Sequence, residues 1–419
     1  MEPASRGGTR KPLKTYIRTA VVGIALTLVL FSPIYGYIGI VYAKEQSAPL
    51  AKPPYVHWNG LLPQSQVYIS WESDQNQSSY VAYGTSQENL QFNVADATLV
   101  GMHTMLLTGL DPDTQYYYRV GNASGQWASE VRTFWTAPQP GSGKDFSFCI
   151  TSDTQQMWGT GHYAAIVSTI NSYTDNAFLV DAGDVGEYTN DQHDWNNYWA
   201  ETAPLTDHIP IVPDPGNHDV GDHSDNSWED NMYTKYFGIS YSTPTLSGHF
   251  YSFNYSNCQF VMAEIAAVGD VDPNTPFNQQ QDQWINATLQ AGQLQDFRIL
   301  VFHRAPYSSN GNDQTLIDRI MPIVETYNVS LVFYGHQHIY DRYYIANRTL
   351  ICLGGGGGLQ NAFIIPQAGQ QITAMGPSFT KVYVNSTAIL LKTYTPTFEL
   401  IDQVILNKIG SNVLPDVVI

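Results

Sequence analysis

The sequence predicts an α/β protein in which strands and helices alternate, preceded by an all-β sandwich and one N-terminal transmembrane helix. Three observations lead to this prediction. Residues 19–43 contain no charged side chain. Short strands separated by turn residues fill 50–138. From 144 to 395, continuous apolar runs alternate with amphipathic stretches, which is typical of buried strands followed by helices. Residues 1–18 and 396–419 are predicted to be tails.

The uncharged run 19–43 is long enough to cross a bilayer, for which roughly 20 residues suffice. Five basic side chains and one acidic side chain precede it, so the N-terminus is predicted to be cytoplasmic. The alternative is a signal peptide cleaved after Ala43, which would give a secreted protein. Either way, the bulk of the chain is predicted to be extracellular or lumenal. Seven Asn-x-Ser/Thr sequons accordingly predict a glycoprotein, with acceptors Asn76, Asn122, Asn254, Asn286, Asn328, Asn347 and Asn385.

The remainder of the chain is acidic, with 14 basic and 36 acidic side chains after residue 43. This excess argues against nucleic acid or an anionic lipid surface as a partner. Cys149, Cys258 and Cys352 form an odd set, and each lies within an apolar run. We therefore expect three buried thiols and no disulfide framework. The sequence makes no prediction of oligomeric state.

The strands between 50 and 138 alternate apolar and polar side chains, with turns roughly every ten residues, as in a β-sandwich. Within GLDPDTQYYYRVG, the residues 111–114 form a turn by composition. Tyr116 and Tyr118 lie on one face of the following strand, and one of them is predicted to pack inward. The Pro/Gly/Ser-rich stretch 137–145 is the predicted domain boundary.

Polar residues end five of the strands predicted after this boundary. These ends are Asp153 with Gln155, Asp184, Asn217-His218-Asp219, His303-Arg304, and His336 with His338. Ligands of open α/β sheets bind outside the carboxyl ends of the strands, so we expect the five ends to converge. Each end alone is more often a turn cap, but five together indicate a site. Carboxylate, imidazole and amide ligands suit Zn, Mn or Fe. Glycines precede Asp184, Asn217 and His336, where a missing Cβ allows a sharp turn.

The ordered pattern D-x-Q, GD, GNHD, H, GHxH resembles the binuclear metallophosphoesterase (calcineurin-like) family. The β segment with GLDPDTQYYYRVG and RTFWTAP resembles the fibronectin-III-like N-terminal domain of purple acid phosphatases. The two resemblances cover about 53–391. They imply a metallophosphatase core of two mixed sheets flanked by helices. They also imply that a metal-bridging hydroxide attacks a small phosphate-containing substrate.

The resemblance also implies a role for each strand end. One metal would be held by Asp153, Asp184 and His338, and Asp184 would bridge to a second metal bound by Asn217, His303 and His336. His218 would protonate the leaving group or bind phosphate, and Asp219 would accept the other ring N–H of His218. Arg304, Asn217 and His218 are the candidate substrate contacts.

Two positions depart from the purple acid phosphatase pattern. Glu187 stands where these enzymes have a metal-binding tyrosine, and Tyr188 follows it; Gln155 stands where family members have His or Gly. Without a phenolate ligand we expect two divalent ions, Mn, Fe or Zn, more than a purple Fe(III) centre. Gln155 also resembles a manganese-using pyrophosphatase branch, so a nucleotide-type pyrophosphatase or phosphodiesterase is the alternative enzyme. A surface binding protein with a relic metal site is the alternative from another class.

Three further features adjoin the predicted site. His162 and His193 follow the first two ligand strands and are candidate rim residues. The run LGGGGGLQ, 353–360, lacks the Lys-Ser/Thr of a phosphate-binding P-loop, so we interpret it as a flexible or close-packed loop near the site. The expected protein is thus a membrane-anchored, outward-facing phosphohydrolase.

Overall fold

The structure, a computed structural model, describes residues 50–60, 62–155, 162–188, 190–220, 232–237, 250–266, 272–359, 364–410 and 412–415. Tail 1–18 and the predicted transmembrane segment 19–43 lie outside these ranges. Among the helices in these ranges, none has the length and apolar character needed to cross a membrane. Glu45–Ile419 forms one compact unit.

Strands dominate the described residues. The first eight are β1 (Leu50–His57), β2 (Gln66–Gly84), β3 (Phe92–Thr108), β4 (Gln115–Gly121), β5 (Arg132–Trp135), β6 (Phe146–Thr151), β7 (Asn176–Asp181) and β8 (Ile211–Pro213). The others are β9 (Tyr251–Tyr255), β10 (Cys258–Met262), β11 (Phe297–Val301), β12 (Leu331–Tyr334), β13 (Tyr340–Ile345), β14 (Arg348–Leu353), β15 (Gln370–Ala374), β16 (Phe379–Val384), β17 (Ala388–Tyr394), β18 (Leu400–Ile409) and β19 (Asn412–Pro415). The helices are α1 (His162–Asn171), α2 (Gln192–Thr206), α3 (Asn217–Val220), α4 (Met232–Phe237), α5 (Pro276–Ala291) and α6 (Gln314–Thr326).

Two mixed sheets form the core, which confirms the predicted core of two mixed sheets flanked by helices. One sheet has the order β19-β18-β17-β16-β6-β7-β8-β1-β2-β4-β5, with β3 paired to β2, and the other has the order β15-β13-β14-β12-β11-β10-β9. Their inner faces pack together: the rings of Phe148 and Phe178 lie 5.4 and 5.5 Å from the ring of Phe260. Helices α1 and α2 cover the outer face of the first sheet, and α5 and α6 cover that of the second.

The N-terminal β segment shares a sheet with the strands that follow the linker. Strand β1 pairs with β2 and also lies parallel to β8, with His57 opposite Ile211. The backbone N–H of Trp58 donates to the carbonyl oxygen of Ile211 at 3.1 Å. The predicted boundary at 137–145 therefore separates two sequence segments but not two sheets. A local composition change does not predict such a long-range strand pairing.

Three smaller expectations can be compared with the structure. Tyr116 and Tyr118 are both buried, where only one was expected, and the Tyr118 hydroxyl donates to the carbonyl oxygen of Asp207 at 2.7 Å. The three cysteines are buried free thiols, as predicted. The segment 396–419, predicted as a C-terminal tail, contains β18 and β19, and β18 pairs with β17.

Candidate metal centre and active site

The five polar strand ends converge at the edge formed by the carboxyl ends of β6, β7, β8, β11 and β12. Two groups of side chains there could each hold a metal ion: Asp153, Asp184 and His338 form one group, and Asp184, His303 and His336 form the other. The ligand atoms within each group lie within 4.8 Å of one another. Asp184 is common to both groups, as expected of a bridging ligand.

The first group packs around the carboxylate of Asp153. His338 Nε2 lies 3.3 Å from Asp153 Oδ1. The Gln155 amide nitrogen lies 3.2 Å from His338 Nε2 and 3.4 Å from Asp184 Oδ2. A half-turn of the Gln155 amide exchanges its nitrogen and oxygen, which would place the oxygen among these ligand atoms. Gln155 therefore adjoins the first metal position.

The second group is arranged around the other side of Asp184. His303 Nε2 lies 3.0 Å from Asp184 Oδ2, and His336 Nδ1 lies 2.8 Å from the side-chain oxygen of Asn217. The structure thus brings Asn217 to the second group, where the resemblance placed it.

The positions of the donor atoms suit coordination of a metal ion better than hydrogen bonds among the side chains themselves. Asp153 Oδ1 and His303 Nε2 are buried and make no well-aligned hydrogen bond within the described residues, although charged partners lie close. Buried polar atoms without aligned partners are rare and need an explanation. Atoms that converge on a common point without pointing at each other are what a coordinated ion requires.

Three of the ligands have a strained backbone. Asp153, Asp184 and His336 have φ angles of 58°, 59° and 70°. Residues with a Cβ rarely occupy this left-handed region, and such strain concentrates at functional sites. The His336 backbone N–H donates to Asp153 Oδ2 at 3.0 Å, so the ligands also hold one another in place.

Glycines before the ligands permit close approach, as the sequence indicated. A Cβ on Gly216 would lie 2.1 Å from Asp184 Oδ1, and one on Gly335 would lie 2.4 Å from Asp153 Oδ2. Real Cβ atoms do not approach other atoms so closely. These two positions therefore require glycine for steric reasons.

The glycine run 354–358 is close-packed against the site. Gly356 N–H donates to the Ser152 carbonyl oxygen at 3.0 Å, and Gly358 N–H donates to that of Asp153 at 2.9 Å. The next residue, Leu359, accepts a hydrogen bond from His338 Nδ1 at 2.7 Å. The run therefore supports a ligand strand and orients a ligand histidine, a role that the sequence analysis did not identify.

Backbone carbonyls fix the tautomers of two ligand histidines. Nδ1 of His338 donates to Leu359, and Nδ1 of His303 donates to the carbonyl oxygen of Ala182 at 2.9 Å. Each contact leaves Nε2 as the nitrogen that faces the carboxylates. Such contacts orient metal-binding histidines in proteins generally.

The carboxylates dominate the electrostatics of the centre. Burial opposes the charge of His303, but Asp184 and Asp153 outweigh it and raise the pKa of His303 to about 10. Burial likewise opposes the charge of His338, and Asp153 raises its pKa to about 9. Burial, together with the neighbouring positive charge of His303, lowers the pKa of His336 to about 4. Burial acts to raise the pKa of Asp184, but His303 lowers it well below its usual value.

His218 lies beside Asp184 with one ring nitrogen already engaged. Its backbone N–H donates to Asp184 Oδ1 at 2.8 Å, and its Nδ1 donates to the carbonyl oxygen of Glu187 at 2.6 Å. The side chain is partly exposed. Nε2 is consequently the nitrogen that can contact a substrate.

The predicted contact between Asp219 and the His218 ring is wrong. Asp219 is fully buried and accepts backbone hydrogen bonds from Asp184 at 2.8 Å, Val185 at 3.0 Å and Gly216 at 2.8 Å. Burial and the charge of Asp184 raise its pKa to about 7. Asp219 therefore shapes the two ligand loops, and the carbonyl of Glu187 takes its expected place at His218.

Other candidate residues lie away from the centre or are engaged elsewhere. The Arg304 guanidinium contacts Asp313 at 3.0 Å, which caps helix α6, so its first partner is structural. Tyr188 is 65% exposed. His162 and His193 are exposed, and His193 contacts Asn197.

Comparisons with known proteins agree with this geometry. Residues 146–340 match the family described as Calcineurin-like phosphoesterase, and residues 53–136 match the Purple acid Phosphatase, N-terminal domain. The chain therefore contains a calcineurin-like phosphoesterase domain, in which the two ligand groups lie. More particularly, it joins this catalytic domain to the N-terminal domain of purple acid phosphatases.

Individual relatives are distant. Purple acid phosphatase 22 of Arabidopsis thaliana is 25% identical over 58% of this chain and 54% of its own length. Fe(3+)-Zn(2+) purple acid phosphatase 12 of the same plant is 26% identical over 58% of this chain and 52% of its own length. The chain thus spans about half the length of these relatives. The solved purple acid phosphatase PPD1 of yellow lupin has the same fold, with a TM-score of 0.71 at 18% identity over 86% of this chain and 74% of that chain.

Proposed function

We propose that this protein hydrolyses phosphate esters of small molecules. The observation that carries the proposal is that the two ligand groups share Asp184, while His218 hydrogen-bonds to that same carboxylate. A site with this arrangement can bind a phosphoryl group and deliver a proton at one place. The names of the two plant relatives, both phosphatases, support this reaction class.

Different residues of the chain would bind metal, donate the proton and orient the proton donor. Two metal ions, when bound, polarise a phosphoryl oxygen and lower the pKa of a water molecule. Asp153, Gln155, Asp184, Asn217, His303, His336 and His338 would hold them. Water adds to phosphorus and loses a proton, and the bond from phosphorus to the leaving oxygen breaks. His218, with protons on both ring nitrogens, donates its Nε2 proton to that oxygen and is reprotonated by the proton that water releases. The Glu187 carbonyl fixes the His218 ring so that Nε2 faces the substrate.

We propose a pair of divalent ions, Mn, Fe or Zn, and no tyrosine ligand. The 65% exposure of Tyr188 supports this proposal, since the ligands Asp153, Asp184 and His303 are buried. The relative named as an Fe(3+)-Zn(2+) enzyme makes Fe(III) the competing choice. Elemental analysis combined with visible absorption separates them: a tyrosinate-to-iron band in the purified protein would overturn the proposal.

Gln155 favours a second candidate reaction, the cleavage of a nucleotide pyrophosphate or phosphodiester. Its amide lies within 3.4 Å of both Asp184 and His338, next to the first metal position. We would assay the purified chain on nitrophenyl phosphate, bis(nitrophenyl) phosphate and ADP-ribose with each metal added back. A preference of at least about tenfold for one compound assigns the substrate class. Hydrolysis of none of them, by a folded protein without bound metal, would instead favour a binding protein with a relic site.

We also propose that residues 19–43 anchor the protein in a membrane, with the catalytic domain outside the cytoplasm. The uncharged run and the basic residues before it support this proposal. Protease protection in sealed vesicles tests it, since cytoplasmic protease should remove only the N-terminal tail. Glycosidase sensitivity provides a second test, because Asn76, Asn347 and Asn385 are exposed while Asn122 is buried. Glycosylation confined to the exposed acceptors would agree with the structure.

A further inference from the structure

Helix α2 reaches the active site through a side chain that is not a metal ligand. Asp194 lies in the first turn of α2, and its side chain is 18% exposed. Its Oδ2 accepts a hydrogen bond from the backbone N–H of Glu187 at 3.1 Å. The carbonyl of the same Glu187 accepts from His218 Nδ1 at 2.6 Å. One residue thus connects the carboxylate to the imidazole.

The helix end that presents Asp194 is firmly held. Asp191 caps α2 by accepting from the His193 backbone N–H at 2.8 Å. One residue after Asp194, the fully buried Trp195 stacks on Tyr236 with ring centroids 5.3 Å apart. A carboxylate mounted on such an element can fix a loop more precisely than a carboxylate on another loop.

The loop that carries Glu187 lies directly against Asp194. A Cβ on Gly186 would lie 3.4 Å from the Asp194 Cβ, which is close van der Waals contact. The other carboxylate oxygen, Oδ1, lies 3.7 Å from Nδ1 of the exposed His193, so it has only a loose partner there. The 3.1 Å contact to the Glu187 N–H is therefore the Asp194 contact that restrains the loop, in addition to the hydrogen bonds that Asp219 accepts from Asp184 and Val185.

We propose that Asp194 is a positioning residue for His218. A charged acceptor strengthens the hydrogen bond to the Glu187 N–H and orients the Glu187 residue. Its carbonyl then holds His218 Nδ1–H, so that Nε2 stays directed towards the leaving oxygen. The proposal rests on the proposed phosphate-ester hydrolysis, in which His218 donates the proton. It assigns to Asp194 an effect on proton donation and none on metal binding.

Leaving groups that differ in their need for a proton test this assignment. A nitrophenolate departs without protonation, whereas an alkoxide requires a proton. We would compare kcat of the full, metal-loaded protein and of Asp194→Ala on nitrophenyl phosphate and on an alkyl phosphate. We expect a loss of about 10- to 100-fold with the alkyl ester and of less than about threefold with the aryl ester. Asp194→Asn keeps an oxygen acceptor and should recover most of the loss.

Two further variants separate positioning from a general loosening of the fold. Asp191→Ala removes the cap of α2 but leaves the Glu187 N–H contact, and it should affect both esters equally. In a His218→Ala background, Asp194→Ala should cause no further loss with the alkyl ester, because the two residues act through one ring.

The outcomes decide between the proposals. Equal losses on both esters, additive losses with His218→Ala, or loss of metal from Asp194→Ala would each overturn the assignment of Asp194. If the unaltered protein hydrolyses neither ester with any metal, the proposed function fails instead. The two failures are thus distinguished by the activity of the unaltered protein.

Discussion

Buried histidines occur in two regions of this molecule and have opposite properties. In the N-terminal segment, His57 contacts the side chains of Asn59 at 2.6 Å and Ser70 at 2.9 Å. Burial lowers its pKa to about 4, so it is neutral at pH 7. At the metal centre, His303 is equally buried, yet its pKa is raised to about 10 because Asp184 and Asp153 outweigh burial.

A second pair of histidines repeats the contrast. His103 lies between the hydroxyls of Ser73 and Ser79, each at 2.8 Å, and burial lowers its pKa to about 4. His338 faces Asp153, and its pKa is raised to about 9 despite burial. Burial alone therefore does not indicate function. A carboxylate partner distinguishes His303 and His338 from the two packed histidines, whereas the ligand His336, whose ring contacts Asn217, has a pKa lowered to about 4.

The largest effect is expected when a carboxylate is removed from the metal centre. Asp184→Asn preserves the shape of the side chain but removes the charge shared by both ligand groups. We expect loss of at least one of about two bound metals and a fall in kcat of about 10³-fold or more. Elemental analysis and steady-state kinetics measure these changes. Asp318→Asn, on the exposed face of α6, is the matched control. Full metal content and activity in Asp184→Asn would refute the site.

A smaller effect is expected for His218, whose ring contacts the Glu187 backbone carbonyl. His218→Ala removes the proposed proton donor but none of the predicted ligands. We expect kcat on an alkyl phosphate to fall about 10²- to 10⁴-fold while the metal content is unchanged. Elemental analysis of the same preparation checks that the metal content is unchanged. Loss of metal from this variant would mean that His218 belongs to the ligand set.

The N-terminal histidines should affect stability and not activity. The folded-state pKa of His57, about 4, lies below its unfolded value of about 6.5, so acid favours the unfolded state between these values. His57 should therefore lower the free energy of unfolding by about 2 kcal/mol when the pH falls from 7 to 5. Urea unfolding of chelator-treated protein at both pH values should therefore show a smaller acid loss for His57→Asn. An unchanged pH dependence would contradict the assigned pKa.

The smallest effect is expected for the cation beside the ligand His303. Arg304 contacts Asp313, so Arg304→Ala should leave KM within about twofold and reduce the free energy of unfolding by about 1 kcal/mol. Steady-state kinetics measures the KM, and urea unfolding measures the free energy of unfolding. A KM increase of about tenfold or more would restore Arg304 as a phosphate contact.

Local sequence patterns predicted five polar strand ends at one site because each end follows its own apolar strand. Asp153, Asp184 and His336 follow strand ends by two or three residues. The hydrophobic periodicity and composition of the sequence therefore locate them without knowledge of the tertiary structure. The carbonyl contacts of the histidines could not be predicted in this way. They depend on loops, such as 354–359, that are distant in the sequence from the side chains they contact.

Helix α2 was not predicted from the sequence, for a different reason. Its sequence, QHDWNNYWAETAPLT, is rich in Asn and Asp, which favour turns, and contains Pro204. Tertiary packing overrides these propensities, because Trp195, Tyr198 and Trp199 are buried on one side of the helix. The aromatic spacing was the available signal. Recognising it would have placed Asp194 next to the ligand loops.

The pairing of β1 with β8 has a consequence for any attempt to divide the chain. Strand β8 leads directly into the loop with Asn217 and His218, and β1 is its hydrogen-bonded neighbour. Cutting the chain at the linker would leave β8 as an exposed edge strand immediately before the catalytic loop. The N-terminal segment therefore cannot be removed without exposing β8. It supports β8, the strand that precedes the active-site residues Asn217 and His218.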